Sequence, residues 1–201
     1  MFQVTRKFSG SILVVLALLV SGCAGTISNM REVPAGTKAA VPDQGKALVV
    51  FARPSTLGFA IQSSVFEVVD SKSSLIGIVA AKTKVAHQID PGKHLFMVIG
   101  ESADFMTADL LPNKTYYAYV TPRMGMWKAR FSLEPKHTQD LGTPELTRAL
   151  DECRLVELTP ASTSWAQGNM DSIQSKRAEY DADWLKTPEG ERPVLRPEDG
   201  K

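Results

Sequence analysis

The sequence predicts a mainly β fold, a small antiparallel β-sandwich carrying two C-terminal helices. Three observations carry that prediction. From Lys46 to Glu134, short β-branched and aromatic runs alternate with turn residues about every ten positions, the spacing of an all-β domain. One of those runs, Ala47 to Ala52, is apolar almost throughout, as a strand covered on both faces is. Beyond Thr143 the apolar residues recur instead at the three- and four-residue spacing of a helix face.

The chain opens with Arg6 and Lys7, no acidic residue before Cys23, and an unbroken apolar run from Ile12 to Val20. A membrane span needs roughly 20 apolar residues, so this shorter core has the layout of a cleaved secretory signal. Residues 24–45 are rich in Gly, Pro, Ala, Ser and Thr without hydrophobic period, and residues 23–45 read as a flexible tether.

The strands follow in order. Ala47 to Ala52 ends at Arg53-Pro54-Ser55, because proline cannot donate to a ladder. Val65 to Val69 and Leu75 to Ala80 read as a hairpin across Asp70 to Ser74. Val85, His87 and Ile89 share one face of the next strand and Lys84 and Gln88 the other. Asp90-Pro91-Gly92-Lys93 is a type II turn, with glycine at the position that requires φ > 0. Leu95 to Ile99, Phe105 to Leu111, Tyr116 to Thr121 and Lys128 to Leu133 complete the set, with Pro112-Asn113 as a further turn. Thr143-Pro144-Glu145 announces a helix whose face is Leu146, Ala149, Leu150 and Cys153. Arg154 to Thr159 then reads as a strand, which makes that helix an insertion within one domain spanning 46–160. A Ser164-x-x-Gln167 capping box announces the last helix, in the segment 161–186. Its stripe is Ala166, Met170, Ile173, Tyr180 and Trp184, interrupted by Arg177. Three prolines and a run of charges make 187–201 a disordered, solvated tail.

Two resemblances follow from these residues. Val20-Ser21-Gly22-Cys23 resembles the lipobox of bacterial lipoproteins. That resemblance implies a signal peptide over 1–22, a diacylglyceryl group on the Cys23 sulfur, and an acyl chain such as palmitate on the freed amine. It also implies anchorage to a membrane through lipid on Cys23, with Ala24 favouring the outer membrane and a domain facing the periplasm. The runs Leu48 to Pro54, Ile89 to His94 and Asn113 to Tyr117 resemble a family of lipoprotein domains of unknown function with a PEGA-like β-sandwich. It covers residues 46–134, departs from the family at Ser71 where a glycine is usual, and implies no catalytic residues.

Composition narrows the function classes. Residues 23–201 hold 21 basic and 22 acidic side chains, interspersed, so there is no basic stripe for nucleic acid. With Cys23 acylated, Cys153 has no partner for an internal disulfide, and it is either a small buried hydrophobe or a reactive thiol. His87, His94 and His137 lack metal-ligand spacing, and no Gly-x-Ser-x-Gly elbow follows a strand. No catalytic, metal or cofactor residue is therefore assigned. Of Tyr116, Tyr117 and Tyr119, alternation along a strand sends at least one inward. Met124, Met126 and Trp127 are large apolar side chains in a turn, and Trp184 ends the last helix; these four are the candidate contacts for an envelope protein partner. The expectation is a lipid-anchored envelope lipoprotein with a non-enzymatic binding or assembly module. The other class is an envelope enzyme acting on peptidoglycan or lipid, which a cleft joining His87 or His94 to a carboxylate and a serine would favour.

Overall fold

A computed structural model describes residues 27–34, 36–37, 40–123 and 130–201. The protein is mainly β. In chain order the elements are β1 (Met30–Glu32), β2 (Ala47–Arg53), β3 (Ser63–Val69), β4 (Lys72–Val79), β5 (Thr83–Ile89), β6 (Gly92–Ile99), β7 (Ala103–Leu110), β8 (Thr115–Arg123), β9 (Arg130–Pro135), α1 (Pro144–Asp151), β10 (Arg154–Leu158), α2 (Pro160–Gly168), α3 (Met170–Lys186) and β11 (Val194–Leu195). Two sheets face one another, in the orders β1-β10-β5-β2-β8-β9 and β11-β7-β6-β3-β4.

The shared core is built by alternation. Val49, Phe51 and Val85 from the first sheet meet Val65, Phe96, Val98 and Met106 from the second, and Phe51 sets its ring edge against Phe96 at 5.2 Å. Strand β2 is buried on both faces as its composition predicts. Its other face, Leu48 and Val50, lies with Tyr117 under Leu141 and Leu150. Helix α1 forms where expected, with the Thr143 hydroxyl accepting from the Leu146 amide and Pro144 in the first turn.

The sheets are mixed rather than purely antiparallel, because β2–β8, β5–β10 and β7–β11 are parallel pairs. The cause lies in the links. Asp70-Ser71 closes the β3–β4 hairpin, with Asp70 supplying the positive φ (52°) that a glycine otherwise would. The turn at Asp90-Pro91-Gly92 has the expected positive φ at Gly92 (123°), but it carries the chain from β5 in one sheet to β6 in the other. An arch and a hairpin use the same turn residues, so strand spacing alone does not distinguish them.

Three boundaries differ from expectation. The described part of the tether is bound to the domain: Met30 pairs with Leu158, and Val41 and Asp43 hold the Gln88 amide. The last helix is two helices. Thr159, not Ser164, is the first cap, in a reciprocal box with Ser162, and the chain kinks at Asn169 (φ −109°, ψ 7°) before α3. Nor is 187–201 a disordered tail. Leu195 is fully buried beside Ala108, and Asp199, 2% exposed, accepts from the amides of Arg196 and Thr138 and pairs with His137 Nδ1 at 2.9 Å. Those bonds satisfy the charge that composition alone assigned to solvent.

The stripe of α3 docks on the chain's own second sheet. Ile173, Met170, Tyr180 and Trp184 cover the outer face formed by Phe66, Met97 and Phe105. Arg177 interrupts that stripe by reaching outward to donate to the Asp70 carbonyl at 2.5 Å.

Candidate interaction surface

Strand β2 ends in Arg53, whose side chain is fully buried and makes no ion pair among the described residues. Its guanidinium turns into the loop 54–62 and donates to three carbonyls, from Nη1 to Ile61 (2.5 Å) and from Nη2 to Leu57 (2.8 Å) and Gly58 (2.7 Å). It lies 4.7 Å from the ring centroid of Phe131. Burial lowers its pKa to about 10, which leaves it cationic at neutral pH. A buried cation held by carbonyl dipoles and a ring face fixes the backbone that supplies the carbonyls. Gly58, at φ 64°, provides the left-handed bend the loop needs, and Ile61 N–H closes the bend on the Gly58 carbonyl.

What the brace holds outward is apolar. Leu57, Phe59 and Ile61 are 49%, 54% and 39% exposed, and residues 54–62 contain no ionisable side chain. The parallel β2–β8 pairing brings Arg123 to the same end of the sandwich, and Arg130 faces it directly across the β8–β9 pair. Both arginines are exposed, and neither has a hydrogen-bond or ion-pair partner among the described residues. Two like charges in register across a ladder repel, so this pair favours an external anion. Strand β1 enters at the opposite end, since Met30 pairs with Leu158 while Arg154, at the start of β10, aligns with Thr83 and Arg53.

The other predicted residues fall as follows. Cys23 and the turn residues Met124, Met126 and Trp127 lie outside the described residues. Trp184 is half-buried and packs on the chain's own second sheet. Its ring rests 5.5 Å from Phe105, and the Arg192 guanidinium covers it at 4.6 Å. Tyr116 is the inward tyrosine; its hydroxyl accepts from the Leu111 amide and donates to the Pro197 carbonyl.

His94 is not placed to serve a serine as a general base. His94 Nδ1 meets Glu67 at 2.9 Å, but its Nε2 is taken by the Asp90 carbonyl at 2.8 Å, leaving neither nitrogen for a hydroxyl nucleophile. His87 lies nearby, its pKa lowered chiefly by burial and by the neighbouring His94, against the attraction of Glu67. Among the described residues no group of three His, Cys, Asp or Glu is placed to hold a metal ion. A cleft of about 520 Å³ opens on the outer face of the first sheet over Val50, Ala86 and Tyr117. Lys84, at its wall, donates to the Leu150 carbonyl, and burial pushes the Cys153 thiol up to about 11, so that thiol is protonated and acts as a packing group.

Sequence reading treated Arg53 only as a strand end and passed over Leu57, Phe59 and Ile61. The available signal was the uncharged run from Pro54 to Gln62 between two core strands. Neither the protein-family models nor the curated proteins contain a match to this chain.

Proposed function

We propose that this protein is a lipid-anchored envelope lipoprotein, held in the outer membrane through Cys23 and facing the periplasm, whose β-sandwich is a non-enzymatic binding or assembly module. The resemblance of Val20-Ser21-Gly22-Cys23 to a lipobox supplies the anchor. The observation that supports the module is the loop in which buried Arg53 holds Leu57, Phe59 and Ile61 out in solvent. Ordering a loop to expose apolar side chains costs free energy that folding alone does not recover, so an external contact is its physical rationale. An enzyme working through His94 would need a free imidazole nitrogen, and both are already engaged.

The experiment is metabolic labelling with a clickable fatty acid, wild type against Cys23→Ser. Label in the wild type that disappears in the variant supports the reading. Equal labelling of both would sink it.

A further inference from the structure

The end of the sandwich that carries loop 54–62 has a composition that selects its partner. Three apolar side chains project from a loop without charge, and two exposed arginines, Arg123 and Arg130, neither in an ion pair among the described residues, stand at the same end. A stable protein interface takes about 800 Å² from each partner, with a packed centre inside a polar rim. Among the described residues, three half-exposed side chains on a narrow loop offer only a fraction of that area. A bilayer interface makes no such demand. It accepts a few apolar side chains one by one, and anionic headgroups attract flanking cations. A second copy of the chain is disfavoured because it would bring like arginine pairs together.

The tether allows this contact. Ile27 already packs on the core, so the tether is the four positions from Cys23 to Ile27, which reach about 14 Å at roughly 3.4 Å per residue. A domain held by that tether can tip onto its side and bring the far end of the sandwich to the surface in which its lipid sits.

We propose that Leu57, Phe59 and Ile61 insert into the interfacial layer of the bilayer that anchors Cys23, with Arg123 and Arg130 set against anionic lipid headgroups. The proposal rests on the lipid-anchored reading above, and the two fail separately. The test uses the processed, lipidated chain reconstituted in vesicles of phosphatidylethanolamine and phosphatidylglycerol, with an environment-sensitive NBD fluorophore on Ala60→Cys. Ala60 is exposed within the loop, and its replacement keeps all three apolar side chains; Cys153, 3% exposed, is shielded from the reagent. The control position is Leu111, exposed at the opposite end.

The expected result is blue-shifted emission at position 60, with quenching by doxyl-labelled lipid several-fold stronger than at Leu111→Cys. Replacing phosphatidylglycerol by phosphatidylcholine, or introducing Arg123→Glu with Arg130→Glu, should reduce that quenching several-fold. Leu57→Ser, Phe59→Ser and Ile61→Ser together should abolish it without changing the melting temperature. Chains that float with the vesicles while position 60 remains as aqueous as position 111 would overturn the lipid contact alone. Chains that fail to float would overturn the anchor and the contact together. Shielding of position 60 in whole envelopes but not in vesicles would assign this end to a protein and overturn the proposal.

Discussion

Arg53 Nη2 donates to the Leu57 carbonyl at 2.8 Å, and that bond joins the buried last residue of β2 to the first of three side chains held out in water. Core and surface are thus coupled through one side chain. Arg53→Leu leaves the Leu57 and Ile61 carbonyls without their donor, takes one of two donors from Gly58, and should destabilise the domain by about 3 kcal/mol. Urea unfolding measures the loss, and limited proteolysis should show cleavage moving to residues 54–62. Unchanged proteolysis would mean that the brace does not order the loop.

Two glycines separate backbone strain from steric strain. Gly92 has positive φ, and a Cβ there meets nothing within 4 Å, so Gly92→Ala should cost only about 1 kcal/mol. A Cβ on Gly200 would stand 2.6 Å from Tyr116 Cζ. Gly200→Ala should therefore lift residues 196–201 from the sheet, read as lost amide protection of Lys201, which bonds the Thr115 carbonyl.

The Asp199 carboxyl ties the C-terminal strap to the domain in a pH-dependent way. Burial works against its charge, but the Arg196 and Thr138 amides and His137 outweigh burial and hold its pKa below the usual carboxylate value. A depressed folded pKa means that the contribution is complete above the unfolded value near pH 3.8 and is lost as pH falls through the lower folded value. The amide shifts of Arg196 and Thr138 should titrate together in that acid window, and Asp199→Asn should remove the titration. A midpoint above the ordinary carboxylate range would contradict the assignment.

The α3 stripe is a stability element. Ile173→Ala with Trp184→Ala opens the contact with Phe105 and Met97 and should lower the melting temperature by about 10 °C. A change of less than a degree or two would mean that the helix docks elsewhere.

How far the sequence could be read depended on the kind of signal. Ala47 to Ala52 declared a doubly covered strand because six apolar residues admit little else, and Thr143-Pro144 declared α1 through cap chemistry that needs no tertiary partner. Met30–Glu32 and Val194–Leu195 were invisible because strands of three and two residues carry no period, and their order comes from distant ladders with β10 and β7. The kink at Asn169 lay between Ala166 and Met170, which keep the spacing of one helix face, so periodicity could not break the helix there. The candidate surface was hidden for a related reason. Leu57, Phe59 and Ile61 alternate as a strand would, and only the buried guanidinium beneath them shows that they face outward.

The central claim is that the loop end is the working surface of an anchored domain. Hydroxyl-radical footprinting with mass spectrometry, on the protein in its native envelope and again on the unlipidated Cys23→Ser protein purified in buffer, tests it most directly. The account predicts that Leu57, Phe59 and Ile61 are oxidised several-fold less in the envelope, while Leu111 and Val69, exposed at the other end, are unchanged. Equal oxidation of the three loop residues in both states, or protection at Leu111 and Val69 instead, would contradict it.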